Sequence, residues 1–299
     1  MKKIVASLAV LFMLTAPVFA GAVKFNADEA KDPVKFAKSK LVAKAKKLKK
    51  DGVKKLVILE CFGEYVTSKE VTNSATSQRY SGRWKTDTTT IEFDKDFYTN
   101  TSNRVYMAVK EVFEANGIEI ISTEDLLLNE KYVSFNLEEE KSGRGASSGL
   151  YKPTVVEKSQ KVSASGIGIF PTNPLTMIKL VMNLGEITHD IGADGFLQIN
   201  FKVDQGSKFE PVIDKFEIKY SGNIKETKVG FKGAEKMRYD FMTQWEPVLN
   251  LKEELKSTDS VMDGKKGPLN VEKYDKALMD MIYAIVDGFN AVLQKEMSK

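Results

Sequence analysis

The chain has one cysteine, one histidine, two tryptophans and eight prolines in 299 residues, and the scarcity of reactive side chains removes whole classes of function. A single thiol cannot close an intramolecular disulfide or build a thiolate-cluster zinc site. A single imidazole argues against a histidine-rich metal centre and a conventional Ser-His-Asp hydrolase. An excess of one charge is also missing, since 45 Lys and Arg stand against 41 Asp and Glu, a formal +4. Two of those positives, Lys2 and Lys3, lie in a segment expected to be removed, which leaves about +2. Such a balance carries no concentrated basic footprint for nucleic acid. Apolar material is plentiful, 42% of residues with 17 Phe, enough for a real core.

The first twenty residues carry an export address. Lys2-Lys3 form a positive start, Ile4–Leu14 an apolar run, and Val18-Phe19-Ala20 put small side chains where signal peptidase needs them. Cleavage is expected after Ala20, with Ala22 as the alternative. The run is too short for a membrane span of roughly 20 apolar residues, and no later stretch qualifies. Cys61 lies far from this site, so it is not the acylated first residue of a lipoprotein. The expected address is periplasmic or secreted.

Residues 21–53 form a Lys-rich segment. Val34–Lys50 spaces Val34, Ala37, Leu41, Val42, Ala45 and Leu48 helically with lysines opposite, which predicts one amphipathic helix. Its apolar stripe packs on the domain, or the helix lies on an anionic membrane surface. Residues 54–299 read as a single α/β domain. Leu56–Leu59 predicts a central strand, 68–102 a polar hairpin insertion, and Asn103–Asn116 a helix capped by Asn103 and stopped by Gly117. Ile118–Ile121 predicts a second strand, and Ser122 or Thr123 the start of a helix through Leu128. Residues 138–174 read as a long mobile excursion with one strand inside. A helix follows from about Leu175 to Ile191, with Met177, Leu180, Val181, Leu184, Ile187 and Ile191 inward. Phe196–Val203 alternates as a strand, and Lys215–Tyr220 turns at Ser221-Gly222-Asn223 into Ile224–Phe231. The last helix starts after Asn270, its stripe running from Val271 and Tyr274 to Phe289 and Val292.

Few constellations suggest chemistry. Glu186 and His189 have the helical spacing of a di-iron half-site, but no second Glu-x-x-His exists, so no metal is expected. Cys61 with His189 would make a thiol and base, yet Cys61 sits in a buried strand where it behaves as a small hydrophobe. Gly143–Gly149 lacks the strand–loop–helix setting and Lys-Ser/Thr of a phosphate loop. No catalytic residue and no cofactor is expected. Arg79, Tyr80, Arg83 and Trp84 cluster in the polar insertion, and aromatic and guanidinium side chains are typical anchors of protein interfaces.

The order of elements carries a resemblance. LVILECF, then VYMAVKEVFEANG, IEIIS, TEDLLLNEKY, EITHDIGAD and GFLQINFKV follow one another from Leu56 to Val203. This resembles the α/β domain shared by the curli secretion-pore lipoprotein, the amino-terminal domain of the Tol system's periplasmic protein B, and the outer-membrane lipoprotein activators of peptidoglycan synthases. Ile118–Ser122, Leu126–Glu130 and Gly192-Ala193-Asp194 fill the family's places. Ser122-Thr123 stand where Arg is common, Asn200 where Gly is usual, and no lipobox is present. The resemblance implies an anticodon-binding-like three-layer domain, a mixed sheet with helices on both faces, here with β-hairpin insertions at 68–102 and 138–174. It also implies a non-enzymatic envelope protein that docks to envelope, outer-membrane or secretion components. Homo-oligomerisation stays open. The alternatives are an envelope glycan or ester hydrolase using two carboxylates in one cleft, and a peripheral protein on a membrane surface.

Overall fold

The apolar run Leu56–Leu59 becomes the centre of a sheet that collects strands from the whole chain. The computed structural model describes residues 22–73, 85–149, 152–230, 235–264 and 267–298. The strands are β1 (Val23–Lys24), β2 (Leu41–Ala43), β3 (Lys55–Asn73), β4 (Lys85–Thr90), β5 (Glu119–Ile121), β6 (Glu140–Gly149), β7 (Lys152–Ser163), β8 (Gly195–Gln205), β9 (Pro211–Val229), β10 (Lys236–Leu251) and β11 (Leu255–Lys256). The helices are α1 (Ala27–Ala30), α2 (Pro33–Lys40), α3 (Lys46–Lys50), α4 (Lys95–Ala115), α5 (Thr123–Leu127), α6 (Glu130–Ser134), α7 (Pro174–Asp190) and α8 (Val271–Met297).

Among the described residues all eleven strands belong to one mixed sheet. β3 runs parallel to β8 on one side and to β5 on the other, and its second half pairs antiparallel with β7 and β4. β8 pairs antiparallel with β9, which continues to β10 and β11. β6 ends the sheet beside β7.

Alternate side chains of β3 divide between two hydrophobic clusters. Leu56, Ile58 and Cys61 join Leu197, Ile199, Phe201 and Val203 of β8, packed with Phe113 of α4 and Leu278, Ile282 and Phe289 of α8. Val57 and Leu59 join Phe196, Leu126 of α5, Tyr132 of α6 and Leu180, Leu184 and Ile187 of α7. Each such large side chain contributes about 1.5–3 kcal/mol by leaving water. Further along β3 the second cluster gives way to ion pairs. Lys202 lies 2.9 Å from Glu157 and 3.1 Å from Asp214, and Lys161 lies 3.5 Å from Glu64.

Several sequence expectations are corrected here. The Lys-rich run is not one helix, because Leu41–Ala43 leaves it to pair with Leu249–Leu251 of β10. Part of its apolar side is spent inside the protein, with Ala37, Leu41, Ala45 and Leu48 buried in the first cluster beside Phe36, while Val34 and Val42 are exposed. Gly288 of α8 allows this approach, since a Cβ there would stand 3.0 Å from Leu41. α4 starts two turns before Asn103, capped by Asp94, whose carboxylate accepts from the Phe97 amide at 2.8 Å. Its first turns are rich in Ser and Thr, poor helix formers. Tertiary bonds compensate, Ser102 donating to the Val162 carbonyl at 2.8 Å. Residues 138–174 hold two strands rather than one, β6 and β7. Ser221-Gly222-Asn223 does not reverse the chain. β9 passes straight through it, with Asn223 at φ 57° beside a register shift in β10. Val181 and Val271 face outward rather than into the core. By contrast, α8 opens at Asn270, which caps the Lys273 amide at 3.0 Å, and α5 opens at Ser122.

Candidate functional site

Glu60 sits inside an apolar run, and strict alternation would drive it into the first cluster with Leu56 and Ile58. A register shift between Ile58 and Glu60 prevents that, so Glu60 pairs with Gln198 and Cys61 takes the core place instead. Such bulges re-aim a side chain beside functional sites. The re-aimed carboxylate is only 4% exposed. One oxygen accepts the Phe170 amide at 2.7 Å, and the other accepts Gln198 Nε2 at 2.7 Å. Burial pushes its pKa up to about 7, against the pull of the Phe170 amide, Lys141, Lys161 and Gln198.

Glu60 lies against a cavity of about 830 Å³ between β6, the loop after α6 and the start of α7. Phe62, Phe135 and Phe170 give it aromatic walls. Lys141 closes one side, donating to the carbonyls of Ile169 at 3.0 Å and Phe170 at 2.9 Å. Asn200 of β8 reaches the lining with Oδ1 buried and without a hydrogen-bond partner among the described residues. Two further carboxylates line the cavity, Glu138 and Glu140. Glu140 is already engaged by Gln160 and by Lys95 at 3.2 Å.

A second concavity, a groove of about 440 Å³, runs between α7 and β10. Val181, Met182, Met237, Phe241 and Trp245 line it. Gly185 lets α7 lie directly on β10, as a Cβ there would fall 2.1 Å from the Tyr239 carbonyl oxygen. Trp245 takes φ 51°, uncommon for a bulky residue, where β10 shifts register against β9. Its ring meets Phe196 edge-on, with centroids 5.4 Å apart. Beside the groove α7 exposes Leu175 (78%), Ile178 (58%) and Met182 (77%).

The residues singled out in the sequence fare differently. Arg79, Tyr80, Arg83 and Trp84 lie outside the described residues. Cys61 is a free, fully buried thiol whose pKa burial raises well above the usual range. His189 does not meet it, stacking on Tyr239 with centroids 4.2 Å apart and standing 3.4 Å from Glu226. Glu186 pairs with Lys131 instead of sharing a site with His189. Among the described residues no group of His, Cys, Asp and Glu is arranged to hold a metal, and no helix is long and apolar enough to cross a membrane.

No family model, curated protein or solved structure matches this chain. The two concavities are the features of the surface that point to function, and neither carries a sequence motif. The signal for the first is a lone carboxylate inside an apolar run, and for the second a helix whose apolar residues exceed one stripe.

Proposed function

We propose that the protein is an exported envelope factor that acts by docking to other proteins rather than by catalysis. The observation that carries this is the apolar groove between α7 and β10, continuous with exposed side chains on α7. Monomeric proteins rarely leave large contiguous apolar patches in water, and those they keep are commonly interaction sites. Methionines suit such a surface because they repack around different partners, and a rigid aromatic such as Trp245 is a typical anchor. The export address places the partners in the periplasm or outside the cell, with outer-membrane or secretion components as the class the resemblance implies. The division of β3 between two clusters supports the three-layer, anticodon-binding-like arrangement with helices on both faces. Edge strand β6, paired only with β7 among the described residues, offers a further place for strand addition.

The test is affinity capture from native envelope extract with three proteins. Met182→Glu with Met237→Glu changes two exposed side chains, so unfolding should shift by no more than about 0.5 kcal/mol. Capture should fall at least about tenfold, because two charges would have to be buried unpaired. Unaltered capture removes the groove. Arg83→Ala with Trp84→Ala should likewise abolish capture with nearly unchanged thermal unfolding, and unaltered capture removes that insertion.

A further inference from the structure

We infer that the cavity over Glu60 is a binding site for a neutral sugar, held by planar polar groups on its floor and aromatic faces on its walls. The size is right for a ligand, about 830 Å³ against the roughly 300–1,000 Å³ of small-molecule sites. Its chemistry narrows the choice.

An anion is disfavoured, because the carboxylates of Glu138 and Glu140 border the space. A cation is disfavoured as well, because Lys141 and Lys161 already stand on the Glu60 side. Asn200 Oδ1 is already buried without a partner among the described residues, a state that costs about 1–3 kcal/mol, and a wholly apolar ligand would leave it so. What fits is a neutral molecule with its own donors and acceptors along its edge and an apolar face. A pyranose has that form.

The floor matches in detail. Glu60 and Gln198 are register partners on β3 and β8, and Phe62 and Asn200 are the next such pair. Glu60 and Asn200 are therefore diagonal neighbours on one face, close enough for one ring to bridge. Each presents a planar group, a carboxylate and an amide, suited to adjacent hydroxyls. Phe62 is the register partner of Asn200 and stands two residues along β3 from Glu60, and its ring, with Lys161 Nζ 5.3 Å from the centroid, gives the floor an apolar surface for sugar C–H groups. Lys141 has a third donor beyond its two carbonyl partners.

The test is calorimetric titration of the full mature protein with cellobiose, maltose and N,N′-diacetylchitobiose, and separately with cadaverine, succinate and dialanine. At least one disaccharide should bind saturably. Asn200→Leu should weaken it about tenfold, the worth of one hydrogen bond to a buried group. The same substitution removes a buried amide oxygen that has no partner among the described residues, so it should not lower the thermal midpoint. Phe62→Ala, beside Asn200 on the neighbouring strand, should also weaken binding, here by removing an apolar face rather than an amide. Three outcomes each overturn the assignment: no disaccharide binding at millimolar concentration, binding only of the amine, acid or dipeptide, or disaccharide binding that Asn200→Leu and Phe62→Ala leave unchanged.

Discussion

Replacing Glu60 with glutamine should stabilise the protein at pH 8 by about 3–3.5 kcal/mol and leave it nearly unchanged at pH 4. The folded state holds this carboxyl at about 7, against 4.5 for the free group. Between those values the folded protein keeps a proton that the unfolded chain has released. Stability from this group is therefore fully present below about 4.5, declines as pH rises, and is lost once pH passes about 7. At about 1.4 kcal/mol for each pH unit between the two values, the total is about 3.5 kcal/mol. The neutral amide escapes that loss. Its oxygen still accepts from Phe170, and Gln198 can turn its own amide to accept from the new NH₂. Urea unfolding of both proteins across pH 4 to 8 is the measurement. The wild type should lose stability relative to Glu60→Gln along this window. Parallel profiles would show that the surrounding donors offset its burial and leave its pKa at the free value.

The sequence made some of this architecture readable because local and tertiary demands agree there. α8 begins at Asn270, and the Phe196–Val203 alternation survives because one cluster receives Leu197, Ile199, Phe201 and Val203. Failures came where a distant strand decided the outcome. Leu41–Ala43 has helical spacing but is claimed by β10, more than two hundred residues away. β10 itself drew no strand assignment, since register shifts at Thr243–Glu246 and Pro247–Leu249 break its alternation. Both concavities depend on such irregularities. The Glu60 bulge is set by pairing with β8, and Trp245 by the mismatch between β9 and β10, and neither partner is visible locally.

Gly185→Val should cost about 3 kcal/mol, the upper end of what overpacking usually costs, and should also disable the α7 groove. In an open helix, replacing glycine gains up to about 1 kcal/mol from backbone propensity when the new residue is alanine. Here the sign should reverse even for Gly185→Ala. Its Cβ would stand 2.1 Å from the Tyr239 carbonyl oxygen and 2.9 Å from the carbonyl carbon. Those atoms are backbone, held in the β9–β10 ladder by the Tyr239–Glu226 pairing, so no side-chain rotation relieves the contact. Either β10 shifts or α7 lifts. Lifting separates His189 from Tyr239 one turn further on, and Met182 from Met237 across the groove. It also loosens the cluster of Leu184, Phe196 and Trp245. Urea midpoints for Gly185→Ala and Gly185→Val, with Trp245 emission in a Trp84→Phe background, separate the cases. Both variants should unfold earlier, and the valine variant should shift Trp245 emission to the red as water reaches the ring. A more stable Gly185→Ala would mean that α7 does not bear on β10, and the groove would then lose its wall.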